Sequence, residues 1–103
     1  MISAYKDEYV HVQFEETEFG LFMHIEMFKW GRDVFLRTLL TFEAIKAEMR
    51  AVGATVIKSA IPMGDRKNEK FAEMYGLTPT DDALQNEDGS RFDRVWVYNL
   101  EED

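Results

Sequence analysis

Val10, Val12 and Phe14 fall on one side of an extended segment, with Tyr9, His11 and Gln13 on the other. This is the two-residue period of a half-buried strand. Glu15, Glu16, Thr17 and Glu18 read as a solvated turn. Alternation then resumes, with Phe19, Leu21, Met23, Ile25 and Met27 set against Gly20, Phe22, His24, Glu26 and Phe28. Two such runs joined by a short polar link predict an antiparallel hairpin. From residue 31 the period changes. Phe35, Leu39, Phe42, Ile45, Met49 and Val52 recur every three or four positions, which is one face of a helix of about five turns. Leu36 and Leu40 widen that stripe toward a sheet, and Arg37, Glu43, Lys46, Glu48 and Arg50 supply its wet side. Asp33 suits the first turn or the cap, and Gly53 a left-handed stop.

Residues 54–61 are apolar and β-branched, the length of a buried strand, and Pro62 ends them. Gly64 and Asp65 open a short helix over 66–75, with Asp65 as N-cap; Gly76 closes it, and Leu77 folds back toward Phe71. The acidic stretch 78–90, with Pro79 and Gly89, reads as a loop. Strand chemistry returns over 91–100 with Val95, Trp96, Val97 and Tyr98. The expected order is β-β-α-β-α-β: an α+β domain with two helices on a mixed, mainly antiparallel sheet. At 103 residues the chain is one domain, 1–103.

Composition narrows the chemistry. There are no cysteines, so disulfides, thiolate-bound zinc and a thiol nucleophile are excluded. The formal net charge is −8, which repels free nucleic acid and anionic membranes unless a local basic patch prevails. The densest basic stretch, residues 65–70, is diluted by Asp65 and Glu69. No apolar run is long enough for a membrane helix and the first residues do not read as a secretory signal. The expectation is therefore a cytoplasmic protein with no membrane partner and no direct nucleic-acid partner. His11 and Gln13 read as the wet face of a strand, and no metal site is expected. Tyr5, Trp96 and Tyr98 are candidates for an apolar protein-binding edge.

The words EAIKAEMRAVGATVIKSAIP and GDRKNEKFAEMYGL resemble the GNAT superfamily, the acyl-coenzyme A dependent N-acetyltransferases. In that family a long helix ending in Gly-Ala leads to a strand, an Asn-containing turn, and a helix ending in Gly plus an apolar residue. The likeness spans residues 19–100. Little precedes it, so the usual amino-terminal elements have no evident counterpart. The resemblance implies acetyl-coenzyme A held in a splay after the strands ending near Met27 and Ile61. Arg32 and the amides of Gly31, Asp33 and Val34 would face its pyrophosphate, because a helix N-terminus presents free N–H groups and a positive dipole end. It also implies Glu26 as general base, with His24 two residues earlier on the same strand face.

Departures from the family pattern fall on the chemistry. Asp33, Val34, Phe35 and Leu36 stand where small residues let phosphate approach bare amides. Ala72 occupies the position of the tyrosine that protonates the leaving thiolate, Tyr75 lies beside Gly76 on the wrong helical face, and Asp65 replaces the turn asparagine. The expectation is a reduced GNAT-like domain, of the kind found in bacteriophage genomes, acting in the host cytoplasm or the virion. In this view it holds no cofactor and serves as a structural or interaction component, with a protein partner or a second copy over its open sheet face. The alternative is a working acetyl-coenzyme A dependent N-acetyltransferase.

Overall fold

A computed structural model describes residues 2–85 and 88–102. Asn86 and Glu87, inside the stretch expected as an acidic loop, lie outside the described residues. The chain runs β1 (Ile2–Lys6), β2 (Val10–Thr17), β3 (Gly20–Met27), α1 (Arg32–Ala51), β4 (Val56–Pro62), α2 (Arg66–Met74), β5 (Thr78–Gln85) and β6 (Phe92–Asn99), with a final 3-10 turn. These form a six-stranded sheet in the order β1-β2-β3-β4-β6-β5. Every neighbouring pair is antiparallel except β3 and β4. The fold class is the expected one, with two more strands.

Both extra strands are edges. β1 pairs with β2 across a bulge, and β5 pairs with β6 across another. The acidic, proline-bearing sequence of β5 hides its strand nature because an edge strand tolerates Pro and charge on its unpaired side. β2 also runs further than the pattern suggests: Glu15 and Glu16 are strand residues opposite Phe22 and Leu21.

The strand alternation sets the core. Val10, Val12, Phe14, Met23, Ile57, Ile61 and Trp96 form one buried cluster with Phe42 and Ile45 of α1 and Ala72 of α2. Both helices therefore cover the same face of the sheet. They are joined by an aromatic seam in which Tyr75 stacks on Phe35 at 5.6 Å and on Phe42 at 5.3 Å, and meets Phe71 edge-on at 4.3 Å. Trp96 lies in this core and Tyr98 packs against it, so the suggested binding edge with Tyr5 does not form. Phe19 is exposed at the hairpin tip rather than on the core face.

Two expectations for α1 reverse. Leu36 and Leu40 are exposed, while Lys46, assigned to the wet side, is only 4% exposed. Its ammonium donates to the Tyr98 hydroxyl at 3.0 Å, pairs with Glu43 at 2.6 Å and lies 4.3 Å from the Tyr98 ring centre. Burial works to lower the Lys46 pKa, but the bonds to Glu43 and Tyr98 outweigh it and the pKa is raised. The ammonium is retained because its stem covers apolar surface while partners surround its head.

Asp7 organises the first turn. Its carboxylate accepts from the amides of Tyr9 (2.7 Å) and Val10 (2.9 Å) and from the Tyr5 hydroxyl (2.8 Å). Burial alone would raise its pKa; those three bonds and the Arg37 charge prevail and lower it below 3.8. A depressed carboxylate contributes stability that is present above its unfolded value and is lost as pH falls through its folded value. Asp7→Ala should therefore cost about 2 kcal/mol in urea unfolding at neutral pH. The gap between wild type and Asp7→Asn should shrink as the pH drops below the unfolded value. A gap that is flat into acid would show that charge at Asp7 does not matter.

Candidate functional site

β3 and β4 touch as parallel strands at one register position, Phe22 opposite Lys58. The contact is clamped on both sides: Ser59 Oγ donates to the Met23 carbonyl at 3.2 Å, and Lys58 Nζ to the Phe19 carbonyl at 2.7 Å. Beyond it the strands part. The gap opens into a cleft of about 200 Å³ lined by Met23, His24, Ile25 and Met27 on one side and Ser59, Ala60, Ile61 and Pro62 on the other. Asn68, Phe71, Ala72 and Tyr75 of the α2 segment form its back wall. Backbone groups on the parted edges lack the ladder partners they would have in a continuous sheet, so they face the cleft ready for a ligand or water.

The cleft continues into a wider one of about 410 Å³ around Trp30, Gly31, Arg32, Phe35, Lys67, Lys70 and Met74. Its floor is the start of α1. Gly31 caps that helix with no side-chain bond at φ +150°, and a Cβ built there would meet nothing within 4 Å. The first helical amides have no partner within the helix, and the first intrahelical bond recorded from this turn is Phe35 N–H to the Gly31 carbonyl, 2.9 Å. Phe35 turns sideways onto Phe71 and Tyr75, Leu36 faces outward, and Asp33 is exposed. The bulky side chains therefore do not fill the space before the amides. Cations from two elements converge on it: Arg32 from α1, and Lys67 and Lys70 from α2. Lys67 Nζ sits 4.0 Å from the Trp30 ring centre, and Trp30 meets Phe71 edge-on at 5.3 Å.

On the opposite side of the sheet the cleft meets a polar row. His24 pairs with Glu15 at 3.3 Å across the β2–β3 ladder. Glu26 stands on the same face, exposed, directly opposite His11. His11 bonds to Ser3 Oγ at 3.0 Å. Among the described residues no group of three acidic, histidine or cysteine side chains is placed to hold a metal. Tyr75 lines the back wall, but its hydroxyl is spent on Thr38 Oγ1, which in turn donates to the Phe35 carbonyl at 2.9 Å. Burial pushes this phenol up to about 12. Asp65 caps α2, accepting from the amide (3.3 Å) and side chain (2.7 Å) of Asn68.

Of the residues singled out in the sequence, Met27, Gly31, Arg32, Ile61 and His24 therefore border one connected space. Asp33 and Val34 lie in the first turn of α1, with Asp33 turned to solvent. Asp65 is a structural cap, and Glu26 does not line the cleft. Four bordering or supporting residues escaped notice: Glu15, Ser59, Lys67 and Lys70. The two lysines carried a signal, the i, i+3 spacing that puts them on one side of a short helix. Glu15 carried none, because its partner is set by register.

No protein-family model matches the sequence, and no curated protein matches it. Solved structures do. One is yncA, a proposed acetyltransferase from Salmonella typhimurium determined with its cofactor acetyl-CoA. It aligns at TM-score 0.68 and 14% identity, covering 92% of this chain and 60% of that one. A proposed acetyltransferase from Sphaerobacter thermophilus aligns at TM-score 0.51 and 17% identity, covering 88% and 60%. The chain thus spans about three fifths of the length of each structure it resembles. At these identities the likeness concerns architecture, and the architecture of this chain is a GNAT-like fold.

Proposed function

We propose that this domain binds an acyl-coenzyme A and transfers the acyl group to an amine. One observation carries the proposal: the gap between β3 and β4 shares Met27 and Phe71 with the pocket at the uncapped start of α1, which Arg32, Lys67 and Lys70 line. A narrow slot with free backbone edges suits an amide-bearing arm, and free helix amides with nearby cations suit a diphosphate. The residues fit that cofactor, which when bound supplies a thioester-activated acyl group. Met27 and Ile61 would flank the arm, while the amides of Arg32, Asp33 and Val34 would face the phosphates. The fold's likeness to a structure holding acetyl-CoA supports the same assignment.

The acceptor would approach from the sheet face that carries His24. An imidazole reaching the cleft and held by a carboxylate on the neighbouring strand is placed to take a proton from an attacking amine. Glu15 holds the ring at 3.3 Å. Glu26, exposed on the same face, would draw a cationic acceptor toward the site. Among the described residues at the cleft, Ala72 has no proton to give a leaving group and the Tyr75 hydroxyl is committed to Thr38. That observation favours a second reading, a cofactor-holding domain with little or no turnover, used as an interaction component.

Titrating acetyl-CoA while following thermal unfolding tests the first step. A micromolar site at millimolar ligand should stabilise the fold by ~4 kcal/mol. Arg32→Ala, or Lys67→Ala combined with Lys70→Ala, should weaken binding ~10-fold. An unmoved transition would sink the transferase and the cofactor-holding readings together.

The proton acceptor is tested separately, by coenzyme A release in the presence of a lysine-rich peptide. His24→Ala should leave the acetyl-CoA shift intact and lower turnover ~100-fold, with Glu15→Gln intermediate. Should His24→Ala turn over normally while Glu26→Gln does not, the base is Glu26. Binding without any turnover in wild type would select the second reading.

A further inference from the structure

The two ends of the cleft between β3 and β4 differ in chemistry. Its mouth shares Met27 and Phe71 with the space at the start of α1. Its other end is where the strands close, at Phe22 and Lys58, next to the lining residues Met23 and Ser59. α2 begins just after β4 ends and runs back along the cleft, so Phe71 borders the mouth while Ala72 and Tyr75 line only the cleft. Tyr75 marks how deep this end lies. It stacks on both Phe35 and Phe42 and bonds to Thr38, which stands roughly 9 Å of helix beyond Arg32 at 1.5 Å per residue.

Near the closure the side-chain hydroxyls are already committed. Ser59 Oγ donates to the Met23 carbonyl at 3.2 Å, and the Tyr75 hydroxyl donates to Thr38. Met23, Ala72 and Leu77 complete this part of the lining with hydrocarbon and a thioether. A buried water settles where several polar groups can bond it, and these side chains offer few. Ala72 has the smallest side chain on the α2 wall, so its methyl group leaves a recess that a longer side chain would fill.

We propose that the acyl group taken by this cleft is longer than acetyl: a straight hydrocarbon chain whose tail lies against Met23, Ala72, Tyr75 and Leu77. The inference rests on the acyl-coenzyme A reading above and adds the class of acyl group. With the diphosphate at the start of α1, the arm points along the slot and its far end comes toward the closure. An acetyl group presents a single methyl there and leaves apolar wall facing poorly bonded water. Further methylenes cover that wall, and each one buried strengthens binding by ~4-fold. The tail's side is set as well. The α2 side is apolar, whereas the opposite side of the sheet carries His24 paired with Glu15 at 3.3 Å, polar groups that a hydrocarbon would strip of water and an amine would not.

Calorimetric titration of the full chain with coenzyme A, acetyl-coenzyme A and butyryl-coenzyme A tests this. Butyryl-coenzyme A should bind ~15-fold more tightly than acetyl-coenzyme A, two methylenes at ~4-fold each. Ala72→Leu fills the recess and should remove that preference, with circular dichroism checking the fold. Should this variant not fold, Ala72→Ser keeps the size, sets a hydroxyl on the wall, and should cut the preference ~4-fold. Equal binding of the two thioesters, or tighter binding of acetyl, overturns the inference and leaves the cofactor reading standing. A butyryl preference that survives substitution of Ala72 also overturns it, because the tail then lies elsewhere. If none of the three ligands binds, the cofactor reading has failed and the inference falls with it.

Discussion

The parallel meeting of β3 and β4 is the constraint on which the remaining structure depends. Antiparallel neighbours on either side stay in register along their lengths, whereas these two strands share one position and then diverge. A parallel pair needs a crossover to bring the chain back, and here that crossover is α1, lying on the core face. Divergence requires something to hold the strands apart. The seam of Phe35, Phe71 and Tyr75 serves as the wedge, because it fixes α2 against α1. The Ser59 and Lys58 bonds keep the strands closed only at their beginning. A slot follows from this geometry, and the start of α1 necessarily opens at one end of it.

Charge follows the same geometry. A chain of −8 has no evident reason to attract an anion, and its most basic stretch is interrupted by acids. Folding separates what the sequence mixes: Asp65 is consumed as a helix cap, and Lys67 and Lys70 turn toward the α1 terminus, where Arg32 already lies. Net charge governs long-range encounter, but the local arrangement of free amides and cations decides what can be held. The same logic retains Lys46 in the core. Its stem covers apolar surface and its head is surrounded by Glu43, Tyr98 and two aromatic faces.

Much of the fold was legible in the sequence wherever a period was strong. The hairpin, both helices and the strands containing Ile57 and Trp96 follow from alternation, from three-and-four spacing, and from the stops at Gly53 and Gly76, whose φ values are +88° and +89°. β1 and β5 were not legible, because edge strands obey pairing more than pattern. The face assignment of Lys46 failed for a related reason. Hydropathy ranks lysine as wet, whereas a long stem ending on a phenol and a carboxylate is satisfied inside. In the site, Arg32 and His24 were singled out through the family resemblance. The His24–Glu15 pair could not be, since register joins residues nine positions apart. The supposed crowding by Phe35 and Leu36 was a statement about residue size, and rotation around the helix decides where that size goes.

The distribution of exposed apolar surface bears on which face of the molecule is incomplete. The sheet face without an α-helix was expected to need a cover. Its β2–β3 half carries His11, Gln13, Glu15, His24 and Glu26, side chains that water satisfies, and Phe22 and Val95 on the same face are already buried. Such a face can stand in solvent. Exposed leucines gather instead on the outside of α1, where nothing in the sheet topology calls for them. A helix that only roofed the core would carry charge there, as it does at Glu43 and Glu48. The two surfaces therefore differ in kind: one is polar and adjoins the cleft, and the other is apolar and lies outside it.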